Sequence, residues 1–131
     1  MGKTYGLEDE DEEDTSVILW SGDDTMGETS TVYLNQAISK QKNGIILLFS
    51  YTGQDKGWNA FYIPKIVIQL INGAGQNFIM NYNAGFSVFG AKYLYINDDN
   101  IVGQSSNTVQ ATNSSINYTN SLFALRYVIG L

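Results

Sequence analysis

The chain has 131 residues, which is enough for one domain that buries a core of its own. It carries 7 basic and 13 acidic residues, and it contains no histidine and no cysteine. These absences exclude disulfide bonds, Ser-His-Asp and Cys-His catalysis, and zinc sites with imidazole or thiolate ligands.

The first predicted segment is a flexible acidic arm over residues 1–15. Glu8–Asp14 is an unbroken run of acids, and blocks of like charge repel themselves and stay solvated. A divalent-ion site and a docking arm for a basic partner are the alternatives. Outside this run the charges nearly balance and the basic residues are scattered, so we expect no nucleic-acid partner. The arm lacks the apolar segment of a signal peptide.

Residues 16–131 are predicted to form a single β domain. No apolar run in it reaches the roughly 20 residues that span a bilayer, so we expect no membrane insertion. Asn43–Gly44 is a hairpin signal, because both residues tolerate positive φ. In the first half we predict strands at 17–20, 31–38 (a short helix around 35–42 being the alternative), 45–52, 58–63 and 65–71, the last because KIVIQLI is rich in β-branched residues.

The second half repeats the pattern of short strands and turn-forming residues. We predict strands at 78–82, 92–96, 101–105 and 122–130, a glycine-broken turn or strand at 83–90, and a weak strand at 108–111. Turn signals recur about every 8 to 12 residues, which is typical of small all-β domains. The sequence therefore predicts an all-β fold, either an antiparallel β-sandwich or a small Greek-key barrel.

Asn97–Asn100, with the sequence NDDN, is the densest cluster of carboxylates and amides in the domain. It lies between two apolar runs, and Asn and Asp favour turns because their side chains bond to the local backbone. A calcium loop needs more oxygen ligands and a closing bidentate glutamate. Nothing marks a glycosidase-like carboxylate pair. We predict a turn, with no metal, no cofactor and no catalytic residue, in a protein that is not an enzyme.

Five motifs follow one another along the chain: LWSGDDTM at 19–26, NGIILLFSY at 43–51, FYIPK at 61–65, KYLYINDDNIVG at 92–103 and LRYVIGL at 125–131. In this order the chain resembles the C-terminal head domains of receptor-binding and tail-fibre (baseplate) proteins of tailed phages that infect Gram-positive bacteria. The resemblance covers residues 17–131.

The resemblance implies a β-rich head, often a homotrimer, at the tail tip of the virion and synthesised in the host cytoplasm. Its partners would be other phage tail proteins and the host cell-wall polysaccharide, which it would recognise without catalysis. Such proteins usually carry a docking domain before the head, whereas here an acidic arm precedes it. The alternative is a small structural or adaptor component of the tail tip that binds no glycan.

Saccharide sites combine an aromatic ring, which covers apolar C–H faces, with carboxylates and amides that bind hydroxyls. The stretch that best fits this chemistry is SYTGQDKGWN at 50–59, and Tyr82 within 81–83 is a second candidate. Packing of Trp58 into the core is the alternative to a binding role. The candidate ligand-binding residues are Tyr51, Gln54, Asp55, Trp58, Asn59 and Tyr82.

Other conspicuous side chains have structural interpretations. Trp20 is expected in the core. Tyr93 and Tyr95 share one strand face, which fits a trimer contact, plain sheet surface or a binding role. Arg126 lies inside an apolar strand, so it faces solvent or pairs with an acid, and Asp98 or Asp99 would be natural partners.

Overall fold

The computed structural model describes residues 16–83, 85, 87–113 and 116–131, so the predicted acidic arm lies outside the described residues. Within the described part are one α-helix, α1 (Lys65–Ile71), and three 3-10 helices at Ile38–Lys40, Ser105–Thr108 and Asn120–Leu122. The strands are β1 (Val17–Asp24), β2 (Thr31–Tyr33), β3 (Gly44–Tyr51), β4 (Asn59–Pro64), β5 (Gly75–Asn83), β6 (Ser87–Ile96), β7 (Asn100–Val102), β8 (Gln110–Asn113), β9 (Ile116–Thr119) and β10 (Phe123–Gly130).

The strands form two sheets. The first has the order β1-β10-β3-β4, and the second has the order β2-β7-β6-β9-β8, with β5 paired along β6. In the described part of the chain, the ladders are antiparallel except for one parallel bridge between β6 and β9. The two sheets enclose one core, so the predicted all-β sandwich class is confirmed.

Aromatic side chains join the sheets across this core. Phe49 of β3 lies 5.9 Å from Phe61 of β4 and 6.4 Å from Phe78 of β5, measured between ring centroids. Phe61 and Phe78 are 5.1 Å apart, in an edge-to-face arrangement that suits aromatic quadrupoles. Trp20 packs against the same core, as predicted.

The strand predicted at 65–71 is wrong, because this segment is the helix α1. Gly44, where β3 begins, pairs with Pro64 at the end of β4, so a continued strand would have no partner in the first sheet. The helix instead carries Ile68 into the core, where it is buried. Tertiary burial here overrides the local β preference of the side chains.

The hairpin predicted at Asn43–Gly44 is also wrong. Strand β2 pairs with β7, and β3 pairs with β10 and β4, so no hairpin joins β2 to β3. Glycine is needed at 44 for packing, because a Cβ there would lie 2.2 Å from the carbonyl oxygen of Ile63. The predicted strand 31–38 is shorter, ending at Tyr33, and the alternative helix is a single 3-10 turn.

The predicted turn at NDDN is confirmed, since Asn97–Asp99 joins β6 to β7 and the Asn97 amide donates to the Asn100 carbonyl at 2.9 Å. Asp98 also fixes a distant segment. Its Oδ1 accepts from the backbone amide of Ser39 at 2.7 Å, and its Oδ2 accepts from the Ser39 hydroxyl at 2.9 Å. The turn therefore holds the first 3-10 helix against the second sheet.

Candidate functional site

The candidate residues surround the loop 52–58, which connects the neighbouring strands β3 and β4. Within the loop, the Tyr51 amide donates to the Lys56 carbonyl and the Gln54 amide donates to the Tyr51 carbonyl, each at 3.0 Å. Gly53 and Gly57 both have a φ of 71°, a left-handed conformation that glycine adopts without strain. The loop is therefore closed by its own backbone.

Arg126 of β10 fastens this loop to the outer face of the first sheet. Its Nε donates to the Gly22 carbonyl at 3.0 Å, and its Nη1 donates to the Ser50 hydroxyl at 2.8 Å and to the Gln54 carbonyl at 3.0 Å. Its Nη2 donates to Asp55 Oδ1 at 3.2 Å. The guanidinium thus links β1, β3 and the loop in one network.

The ion pair corrects the expected pairing of Arg126 with Asp98 or Asp99. Both of those carboxylates belong to the β6–β7 turn of the second sheet. Arg126 belongs to the first sheet and reaches the loop after β3, where Asp55 lies. Separation along the sequence does not indicate which acidic side chain the fold places next to Arg126.

Trp58 lies on the outer side of the same sheet with 42% of its surface exposed, so the predicted alternative of core packing is wrong. Its ring centroid is 6.4 Å from that of Tyr127, with the planes 31° apart. Arg126 Cζ lies 5.3 Å from the indole centroid, within the range of a cation–π contact. Two neighbours therefore hold the indole while much of it stays in solvent.

Tyr51 lies on the opposite, inner side of the first sheet and contacts Tyr82, which belongs to β5 of the second sheet. Their ring centroids are 4.8 Å apart, and Tyr51 also meets Phe123 at 5.9 Å. Gly57 fits closely against the second tyrosine, because a Cβ at 57 would lie 3.0 Å from the ring of Tyr82. These tyrosines pack the gap between the sheets beneath the loop and do not adjoin Trp58 on its outer face.

Asn59 joins the edges of the two sheets. Its Nδ2 donates to the Asn81 carbonyl at 3.0 Å and to the Gly57 carbonyl at 3.1 Å, while its Oδ1 accepts from the Asn81 amide at 3.3 Å. The side-chain amide thus takes the place of a backbone bridge between β4 and β5. Its hydrogen-bonding groups are already engaged, so it positions the loop.

The six predicted residues therefore divide into two groups. We call Gln54, Asp55 and Trp58, together with Arg126 and Tyr127, the outer cluster; the inner group is Tyr51, Asn59 and Tyr82. The outer cluster offers a flat ring, an exposed carboxylate and an exposed side-chain amide. This set suits hydrogen bonding to hydroxyls beside an apolar C–H face.

Sequence reasoning missed two members of the outer cluster, Arg126 and Tyr127, because both come from the last strand. A signal was present, since Arg126 is a lone charge in the apolar run LFALRYVIG. A charge in a buried strand needs a partner. The sequence LFALRYVIG does not indicate which loop supplies the acidic partner of Arg126.

A buried lysine forms a separate polar centre in the core. The Nζ of Lys92, which is 1% exposed, donates to the carbonyls of Thr25 and Asn107 at 2.8 Å and of Asn120 at 2.7 Å. Burial lowers the pKa of Lys92 from 10.5 to about 7, and the nearby Asp24 carboxylate opposes that shift. The ammonium therefore links three segments that lie outside the strands, at Thr25, Asn107 and Asn120.

Among residues 16–83, 85, 87–113 and 116–131, no three His, Cys, Asp or Glu side chains gather in a way that could hold a metal ion. No helix of this described part is long and apolar enough to cross a membrane. Comparisons with protein-family models, with curated proteins and with solved structures found no match for this chain.

Proposed function

We propose that this chain is a receptor-binding-like module of a phage tail or baseplate, which recognises host cell-wall saccharide without catalysis. It would reside at the tail tip of the virion after synthesis in the host cytoplasm. The proposal is supported by the ordered motifs from LWSGDDTM to LRYVIGL and by the chemistry of the outer cluster.

The observation that carries the proposal is the exposed indole of Trp58 beside the carboxylate of Asp55. Tyr127 and Arg126 hold the ring, so a ligand that stacks on it would cost little ordering of the side chain. Asp55 is 84% exposed and bonded to Arg126 through one oxygen, which leaves acceptor capacity for sugar hydroxyls.

The proposal includes a homo-oligomer, expected to be a trimer, formed through the outer face of the first sheet. Ile18, Ile129, Ile46 and Tyr62 lie side by side across all four strands. Ile18 is 57% exposed and Tyr62 is 54% exposed. The next row includes Tyr127 of the outer cluster, so we place the interface on the first row alone.

The row of Ile18, Ile129, Ile46 and Tyr62, which we call the sheet face, contains no charged side chain. Two identical copies can therefore approach through it without like-charge repulsion, and apolar burial favours that contact. Around a threefold axis, each copy would place this face against both neighbours.

The second candidate is a structural or adaptor component of the tail tip that binds no glycan. The sheet face favours it equally, because another tail protein can cover the same apolar row. The two candidates make different predictions for the outer cluster, which is needed for saccharide binding only in the first.

An array of Gram-positive wall polysaccharides, followed by calorimetry on the positive samples, tests the proposal. We expect saturable binding that weakens when the outer cluster is altered. No binding to any wall fraction, by a chain that remains folded, would leave the structural component as the better description.

A further inference from the structure

A second concave surface lies at the other end of β4, between α1, the first 3-10 helix and the β6–β7 turn. It encloses about 310 Å³, at the lower end of the range of about 300–1,000 Å³ for small-molecule sites. Ile68, which is 8% exposed, gives the pocket a small apolar floor, and the fully buried Ile38 borders it. Polar side chains from three segments surround that floor.

Two charged groups on the wall are already held in place. Asp98 is fixed by its two bonds from Ser39, and its backbone carbonyl accepts from the Ile38 amide at 2.7 Å. Lys65 is fixed because its Nζ donates to the Gln41 carbonyl at 2.9 Å. Each group keeps further hydrogen-bonding capacity, because a carboxylate accepts about four bonds and an ammonium donates three.

Two side-chain amides on the wall are uncommitted. Gln69 and Asn72 are exposed, and neither side chain has a hydrogen-bond partner among the described residues. Asn72 is held by the left-handed end of α1, with φ 51° and ψ 50°. Between them these amides supply donors and acceptors that face no protein group.

The charge pattern restricts the ligand. A free phosphate or carboxylate would meet Asp98, and an amine would meet Lys65, so either ionic ligand faces a like charge. A neutral ring with several hydroxyls donates to Asp98, accepts from Lys65 and bonds to both amides, while its C–H face covers the small apolar floor at Ile68. We propose that this pocket binds one neutral sugar ring.

This site is separate from the outer cluster. Trp58 precedes β4 and Lys65 follows it, so about six residues at roughly 3.3 Å each place the two sites about 20 Å apart. One sugar ring cannot contact both. The proposal therefore stands whether or not the outer cluster binds polysaccharide.

The test is an amide NMR titration of the full chain with methyl glucoside, methyl galactoside and N-acetylglucosamine up to tens of millimolar. Inorganic phosphate and ethylamine serve as the anionic and cationic comparisons. We expect at least one neutral sugar to give saturable shifts at Ser39, Gly73 and Asp98. We expect neither ion to do so.

Variants assign the shifts to the pocket. Gln69→Ala keeps a good helix former at an exposed position, so it should fold normally and weaken sugar binding about threefold, whereas Asp98→Ala should weaken it about tenfold. Leu70→Ala is the matched control, because this neighbouring side chain is 74% exposed and does not line the pocket. Its affinity should equal that of the unaltered chain.

Three results would overturn the proposal: no saturable shift with any of the sugars, an equal response to phosphate, or full affinity in both Gln69→Ala and Asp98→Ala. Loss of polysaccharide binding in outer-cluster variants, with hexose shifts intact at Gly73, would instead show two independent sites. These measurements can therefore reject either proposal without rejecting the other.

Discussion

Arg126 and Asp55 form an ion pair across 71 residues of sequence, with Nη2 3.2 Å from Oδ1. Their environments differ sharply, because the Arg126 side chain is 17% exposed and the Asp55 side chain is 84% exposed. The Arg126 side chain is largely buried against the first sheet, whereas the Asp55 carboxylate is largely in solvent. Removal of one partner should therefore have a different effect from removal of the other.

Asp55→Ala should leave stability unchanged and weaken polysaccharide binding. The Asp55 carboxylate is largely in solvent and Arg126 keeps its three other acceptors, so the melting temperature should not move. Binding should fall about tenfold, or about 1.4 kcal/mol, by calorimetry. Glu28→Ala, which removes an exposed carboxylate from another loop, is the control. Unaltered affinity in Asp55→Ala would move the proposed site elsewhere.

Arg126→Met should destabilise the fold. The variant removes the donor to the Gly22 carbonyl and to the buried oxygen of Ser50, and it leaves the Gln54 carbonyl with the Ser50 hydroxyl as its remaining donor. Loss of such bonds typically costs about 1–3 kcal/mol, which urea unfolding resolves. A free energy of unfolding equal to that of the unaltered chain would mean that the loop is held by its own backbone alone.

Trp58→Ala should reduce polysaccharide binding more than it reduces stability. The ring is 42% exposed, so the loss of packing should be well below the roughly 3–5 kcal/mol of a core tryptophan. Tyr33→Ala is the matched control, because Tyr33 is a 70% exposed aromatic on the second sheet. If both variants bind equally well in calorimetry, stacking on Trp58 is not part of recognition.

The strand pattern was readable from the sequence because alternate burial leaves a period of two, as at KYLYI, where Leu94 and Ile96 are fully buried. The α1 segment was not readable in the same way. KIVIQLI has strand-like side chains, and only the position of Gly44 opposite Pro64 shows that no partner strand remains.

The candidate site was predictable only in its local part. The loop residues Asp55 and Trp58 were found because they are neighbours in sequence. Arg126 and Tyr127 come to them through the β3–β10 ladder, and this pairing of distant strands leaves no local signal. Trp58, just before β4, also lies outside the core because it is on the outer side of the first sheet. Which side it occupies is set by the pairing register of β4, and this register depends on the whole sheet.

Charge placed in the sheet face should dissociate the proposed oligomer. We expect Ile18→Lys and Tyr62→Lys, at the two ends of one cross-strand row, each to weaken self-association by at least about tenfold, because each buries a charge between copies. Ile79→Lys is the control, since Ile79 is a 75% exposed isoleucine on the second sheet. Light scattering over a concentration series measures the change. An unaltered chain that is monomeric at tens of micromolar would contradict the oligomer.

Stability should rise with pH above 7 because of Lys92. The folded chain releases this proton near its lowered pKa of about 7, whereas an unfolded lysine holds it until about 10.4. The unfolded state thus binds more protons between these values, so the free energy of unfolding increases with pH there, by at most about 1.4 kcal/mol per pH unit.

The gain in the free energy of unfolding should be smaller than this limit, because deprotonation of Lys92 costs a hydrogen bond. The ammonium donates to the carbonyls of Thr25, Asn107 and Asn120, whereas the neutral amine has two donors for these three acceptors. Urea unfolding at pH 7, 8 and 9 stays below the range in which tyrosines ionise. Lys40→Met removes an exposed lysine and should keep the slope. Lys92→Met should flatten the slope while lowering stability at every pH, since the carbonyls lose their donor. Stability that does not change from pH 7 to 9 in the unaltered chain would mean that the three carbonyls hold the ammonium charged throughout this range.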